Sequence, residues 1–436
     1  NVCTITNTRK TVNVTATKAW SGLLTGETAP ALWFQLYQGA AAYGVPQPVP
    51  TAEPRTVTWS NVPETDTSGV AYVYTVKEGT ASGTPLVFTA KVPDGFTAAP
   101  SGGECTAAGT EGSRSCTITN TRKTIDFNAT KTWSGLGSGE TAPALWFQLY
   151  QGAAAYGSPQ LVPTADPRTV TWSAIPETDT FGTAYVYTVK EGTVSGGTFT
   201  EGIPAGWTAG TWNCTGNVCT ITNTRKTVNV TATKAWVGLL AGESAPELWF
   251  QLYQGAAAYG VPQLVPTADP RTVTWSNVPE TNASGVAYVY SVKEGTASGT
   301  PLVFTAKVPD GFTSTPADGA CTAAGTEGSR SCTITNILKT IGFSATKTWS
   351  GLLPGETAPA LWFQLYQGTA AYGAPQPVPT TEPRTVTWSD IPETDTSGTP
   401  YVYTVKEGTV SGGTFTEGIP AGWTAGTWNC TENVCT

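Results

Sequence analysis

Apolar and polar side chains alternate singly along short runs of this chain, and clusters of Gly, Pro, Asp and Ser separate the runs. Period-two alternation bounded by turn formers predicts strands. Val12, Val14, Ala16 and Trp20 mark the first strand and Leu32, Phe34 and Leu36 the second, followed by Thr56 to Trp59, Ala71 to Glu78 and Cys116 to Asn120. No segment carries the 3.6-residue apolar spacing of an amphipathic helix of useful length.

The same grammar recurs. Lys-x-Trp returns at Lys18, Lys131, Lys234 and Lys347; the first and third intervals are equal and the second is shorter, so two module lengths alternate. Cys3, Cys219 and Cys435 are evenly spaced at the length of one such pair, and the opening Asn-Val-Cys-Thr is also the last four residues. A repeat of this size must be settled before any motif is read. Long modules are assigned to 9–121 and 225–337, and short ones to 122–224 and 338–436. Residues 1–8 read as the last strand of a preceding module, the module at 338–436 lacks its own last strand, and the pattern is expected to run past both termini. About seven strands in roughly 105 residues predict an all-β chain of tandem immunoglobulin-like β-sandwiches forming a rod.

Composition narrows the function. The net charge is −8, with charged residues only 12% of the chain, and neither nucleic acid nor an anionic membrane suits an acidic surface. There is no His, which removes the usual base of serine and cysteine hydrolases and a common zinc ligand. No exposed nucleophile, base and orienting group come together, so an enzyme with an external substrate is not expected, nor a metal or cofactor. No run of apolar residues approaches a membrane span.

The cysteines pair by position as Cys105 with Cys116, Cys214 with Cys219, Cys321 with Cys332 and Cys430 with Cys435. They read as hairpin staples formed in an oxidising, extracellular setting, each stabilising by roughly 2–3 kcal/mol. The partner of Cys3 is expected before residue 1.

Parity assigns faces within each strand. Lys18 shares the inward face of Val14 and Ala16, Glu78 that of Tyr74 and Val76, and Asn120 that of Cys116 and Ile118. The Lys-to-Glu spacing is identical in all four modules, 18 to 78, 131 to 191, 234 to 294 and 347 to 407. The Glu-to-Asn spacing is longer in the long modules, 78 to 120 and 294 to 336, than in the short one, 191 to 223, so the change in length lies in the cysteine segment. A buried ion pair with an amide neighbour is one reading of this frame. The other is an intramolecular isopeptide bond. A dry core lowers the Lys pKa and raises that of Glu, giving an amine nucleophile and a protonated carboxyl beside a carboxamide.

Each module also resembles the Cna protein B-type domain of bacterial surface adhesins and pilins. The residues that carry the likeness are Ala16-Thr17-Lys18-Ala19-Trp20, Phe34-Gln35-Leu36-Tyr37, Val57 to Pro63, Tyr72 to Glu78 and Ile118 to Thr121. The resemblance implies a sandwich whose first-strand Lys bonds the last-strand Asn, assisted by the Glu. Here the matches are Lys18, Glu78 and Asn120, then Lys131, Glu191 and Asn223, then Lys234, Glu294 and Asn336. Asn7 has its Lys, and Lys347 with Glu407 its Asn, outside the sequence. Paired cysteines depart from the family's usual pattern.

The function expected is mechanical: a stalk or fibre shaft on a bacterial cell surface, partnered by neighbouring modules or subunits of the same fibre. A binding role is the alternative, through an outward row of Trp33, Gln35 and Tyr37 that recurs at Trp146 and Tyr150, Trp249 and Tyr253, and Trp362 and Tyr366. Subunits joined by strand donation are another. A calcium site at Glu64, Thr65 and Asp66 is weaker, because Asn282 replaces Asp66 in the third module. Asn13, Asn128 and Asn213 open Asn-x-Thr sequences, which are glycosylation acceptors only if the source modifies them.

Overall fold

The computed structural model describes residues 2–240 and 242–436, in two compact units, Asn1–Thr224 and Arg225–Thr436. Each unit holds one long and one short module. The first module is built from β1 (Thr11–Ser21), β2 (Trp33–Gln38), β3 (Ala41–Pro48), β4 (Thr56–Pro63), β5 (Tyr74–Ser82), β6 (Val87–Ala90), β7 (Phe96–Ala99), β8 (Glu104–Thr106), β9 (Ala108–Thr110) and β10 (Ser113–Arg122). A single 3-10 turn, Ser101–Gly103, precedes β8.

One sheet runs β4-β1-β10-β7 and the other β3-β2-β5-β6. The first and last long strands lie side by side in parallel, with Ala16 opposite Cys116, Lys18 opposite Ile118 and Trp20 opposite Asn120. Between the sheets lies a core of Val12, Val14, Ala16, Phe34, Leu36, Val57, Trp59, Tyr74, Val76 and Ile118, all buried. Along β1 every second residue from Val12 to Lys18 is buried, as the alternation requires. The third module repeats this with Val230, Phe250, Trp275 and Ile334, and the short modules centre on Phe127 with Phe147 and on Phe343 with Phe363.

Three expectations need correction. The strand that carries Glu78 begins at Tyr74 rather than Ala71, which makes only an isolated bridge to Thr65 across the turn at Gly69. Tyr74 starts the strand firmly, because its hydroxyl donates to the Pro63 carbonyl at 2.6 Å. Second, Cys105–Cys116 is no hairpin staple. The hairpin partner of β10 is β9, whereas β8 crosses to the other sheet and pairs with β5, so this disulfide joins the two sheets. Cys321–Cys332 does the same, and only Cys214–Cys219 and Cys430–Cys435 close a hairpin within one sheet. Third, Gln35 of the outward row is buried, for the reason given below.

The joint between the two modules of a unit is tight. Lys123 donates its backbone N–H to Gly95 and accepts from Glu177, which docks the second module on the first. Arg122, fully buried at its side chain, pairs with Glu27 at 3.0 Å. In the other unit Lys339 makes the same two backbone bonds, Leu338 stands where Arg122 would, and the Tyr401 hydroxyl donates to Glu243 at 3.0 Å.

Candidate functional site

Three strands bring one polar group each to a common point in the core. Lys18 on β1 comes within 2.9 Å of Glu78 Oε2 on β5, and both side chains are fully buried. Asn120 Nδ2 on β10 donates to the same Oε2 at 3.1 Å. The Lys18 ammonium also donates to the Ile118 carbonyl at 3.3 Å and lies over the Trp20 ring, 4.7 Å from its centre. Phe96 packs edge-on against Trp20 at 4.9 Å and helps to close the site to water. Glu78 Oε1 and Asn120 Oδ1 are buried and have no hydrogen-bond partner among the described residues.

The constellation recurs. In the second module Lys131 is 2.9 Å from Glu191, off the angle of a hydrogen bond, and Asn223 donates to Glu191 at 3.3 Å. In the third, Lys234 to Glu294 is 2.8 Å and Asn336 to Glu294 is 3.1 Å. Burial pushes the amines of Lys18 and Lys234 down to about 8, the Glu charge opposing it, and lowers that of Lys131 for the same reason. Burial raises the Glu294 carboxyl. Both shifts favour the neutral forms, an amine with a free lone pair and a carboxyl that holds a proton.

The fourth module has the pair alone. Lys347 lies 2.6 Å from Glu407, with 17% and 13% of the side chains exposed. They line an open cavity of about 280 Å³ with Trp349, Trp423 and Trp428. Along the Lys strand, Val434–Cys435 reaches only Ser344 and Ala345, below the level of Lys347.

The remaining sequence candidates lie apart from this point. Asn7 and Cys3 sit in the exposed stretch 2–10, where no strand forms, and Cys3 is a free thiol. Trp33 and Tyr37 are half-buried, as are their counterparts Trp146, Tyr150, Trp249, Tyr253, Trp362 and Tyr366. Lys77 covers Tyr37 at 5.2 Å and is itself paired with Glu104. Gln35 is buried although its parity points outward. A bulge between β2 and β3 folds over it, and its amide donates to the carbonyls of Leu36, Tyr43 and Gly44. Asp66 Oδ1 accepts the N–H groups of Ser68 and Val70, a turn role. Asn13 Oδ1 accepts from the Asn61 N–H, and Asn128 Oδ1 from the Thr171 hydroxyl.

Sequence reasoning missed Gly103 and Gly319, which lie against the carboxyls of Glu78 and Glu294. The longer Glu-to-Asn spacing of the long modules was the signal, because those extra residues form the covering segment. It also missed the Arg122–Glu27 pair, for which an isolated Arg in a linker gave no cue.

The chain matches the Cna protein B-type domain four times, over residues 14–98, 127–224, 230–315 and 343–427. It is 28% identical over 306 residues to a collagen adhesin of Staphylococcus aureus, covering 65% of this chain and 22% of the adhesin, so it spans about a fifth of that relative. Among solved structures, two B repeat units of the collagen binding protein of Staphylococcus aureus align at 20% identity with a TM-score of 0.30, over 92% of this chain and 94% of theirs. The TIE protein of Bacillus anthracis aligns at 13% identity with a TM-score of 0.43, over 95% and 72%. The likeness places the chain at a bacterial cell surface, in keeping with its four disulfides. With four matches covering most of its length, the chain belongs to the family of Cna protein B-type domains.

Proposed function

We propose that this chain is a segment of a surface stalk or fibre shaft whose modules cross-link themselves, Lys18 to Asn120, Lys131 to Asn223 and Lys234 to Asn336. The observation that carries the reading is the threefold recurrence of Lys, Glu and Asn within about 3 Å of a shared carboxylate oxygen in a dry core. Proton transfer from the Lys ammonium to Glu leaves a neutral amine and a carboxylic acid. The amine Nζ attacks the Asn Cγ, and the acid stabilises the charge that develops on Oδ1. The Nζ–Cγ bond forms, the Cγ–Nδ2 bond breaks, and Nδ2 departs as ammonia after taking one proton through Glu. The carboxyl is regenerated, and each module reacts once.

The last-strand Asn precedes the next Lys by the same short interval at every junction, 120 to 131, 223 to 234 and 336 to 347. Once both ends are bonded, tension runs from cross-link to cross-link and leaves the sandwich and its disulfide outside the force path. Neighbouring modules or subunits of the same fibre are then the partners, and the tight joint between modules within a unit suits a shaft. The intact mass under denaturing, reducing conditions tests this. A mass short by three ammonias, with branched peptides at Lys18, Lys131 and Lys234, is expected. The full unmodified mass would reduce the triads to buried ion pairs and overturn the reading.

A further inference from the structure

The long and short modules close the same triad in different ways. In a long module the stretch 101–106 leaves the last-strand sheet and lies over Glu78, with Cys105 opposite Val76 on β5, one inward position before the carboxyl. Its disulfide partner Cys116 is on β10, upstream of Asn120 and on the same face. The bond therefore ties β8, which is paired with the strand of the Glu, to the strand of the Asn, close below the triad. Gly103 is buried against the carboxyl: a Cβ there would stand 2.5 Å from Glu78 Cγ and 2.6 Å from Oε1, and φ is +68°. Gly319 repeats this over Glu294, at 2.4 and 2.5 Å with φ +61°. Only glycine lets the backbone come so close in that conformation.

A short module has no such segment. Its disulfide, Cys214–Cys219, stays within one hairpin, and Trp212 packs on Phe147 at 5.2 Å, where Phe147 is the cross-strand neighbour of Glu191. Glu191 keeps 6% of its side chain exposed, while Glu78 and Glu294 keep none.

We propose that in the long modules the disulfide-held segment 101–106, and 317–322 in the third module, is a positioning lid for cross-linking, with Gly103 and Gly319 as the contact that strips water from the Glu carboxyl. The inference rests on the cross-linking reading above. Glu191, with no lid, also has an Oε1 unpartnered among the described residues, so what the lid adds is the complete burial of Glu78 and Glu294. Burial raises the Glu294 carboxyl and so favours the acid, the state from which it acts. With the lid loosened, water reaches Oε1, the ion pair becomes the ground state, and less of the neutral pair is available for attack. The disulfide itself stays intact and exchanges no electrons during the reaction.

Variants of the full chain test the lid, each followed by timed appearance of the branched peptides after refolding. C105A/C116A is expected to slow the Lys18 branch about tenfold or more, which is within the reach of acid–base assistance, and to move the acid limb of its pH–rate profile to lower pH. The Lys131 and Lys234 branches in the same molecules keep their rates and serve as internal controls, and C214A/C219A leaves the Lys131 branch unchanged. G103A keeps the disulfide and is expected to slow the Lys18 branch alike. G102A forces a residue into a similar backbone conformation, at φ +78°, but its Cβ meets nothing within 4 Å, and its branch should form at the parent rate. Equal slowing by G102A and G103A, or an unchanged Lys18 rate and pH profile in C105A/C116A, overturns the lid and leaves cross-linking standing. A parent chain with no branched peptide at all overturns the cross-linking reading, and the lid falls with it.

Discussion

The third and fourth modules hold the same Lys–Glu contact in two surroundings. Lys234 and Glu294 meet at 2.8 Å and Lys347 and Glu407 at 2.6 Å, each Lys with a Trp ring 4.6 or 4.8 Å away. In the third module a strand, Ser329–Leu338, lies along the Lys strand, brings Asn336, and seals both side chains completely. In the fourth, the pair opens onto a cavity. The two sheets alone bring Lys and Glu together; the last strand supplies the Asn and the dryness. Contact with incomplete burial, 17% and 13% of the side chains exposed, leaves the fourth pair open to water that the third pair excludes.

The sharpest way to break this comparison is to remove the carboxyl from each module in turn. E294Q keeps the shape but cannot take the amine proton, so the Lys234 branch should form about 10²–10⁴ more slowly. The mass deficit then falls from three ammonias to two. The third module should also lose about 3–5 kcal/mol before any cross-linking, because the Lys is left buried and unpaired. E407Q is expected to leave the deficit at three. A parent-like deficit in E294Q would show that the carboxyl is not the proton acceptor.

Restoring the strand is the converse. A chain extended past Thr436 by Ile-Thr-Asn-Thr-Arg-Lys, the sequence that follows Thr220, should fill the cavity, bury Lys347 and lose a fourth ammonia, with a new branch at Lys347. A folded fourth module that stays unbranched would mean that burial and an Asn in register are not sufficient.

How much of this was legible in the sequence follows from how local each cause is. Lys18, Glu78 and Asn120 were found because strand parity fixes the inward face, and repetition at constant spacing separates such positions from chance. Parity failed at Gln35, where the bulge over β2 satisfies an amide that the alternation assigns to solvent. The cysteine pairing was readable, but not what it joins. Spacing gives Cys105 and Cys116 the look of a hairpin, and only the crossing of β8 to the other sheet makes their bond a tie between sheets. Gly103 looked like one turn glycine among many, because its role depends on the Glu78 carboxyl, which a different strand carries. The joint escaped for the same reason: Glu27, in the loop after β1, meets Arg122 at the end of β10 and Tyr185 of the second module, residues far from it in sequence.

The smallest effect separates contact from covalency by pH. N336A removes the electrophile while the Lys234–Glu294 pair stays in the core, so both groups can still titrate. The folded amine sits at about 8, below its ordinary 10.5, so between those values the unfolded state binds more protons than the folded one. The contribution of this Lys to stability therefore rises as pH climbs from about 8 to 10.5, by at most on the order of 3 kcal/mol. Glu294 runs the other way: its folded carboxyl is raised, so its contribution is complete below its ordinary 4.5 and is lost as pH rises through the folded value. The unlinked third module should thus be weakest near neutrality and regain resistance towards pH 10. If the parent chain cross-links as proposed, its Nζ is consumed as an amide and the alkaline rise is expected to be absent. Protease cleavage within residues 230–315, compared between N336A and the parent at pH 7 and pH 10, measures the difference. A parent chain with the same alkaline rise would mean that its Lys234 amine is still free.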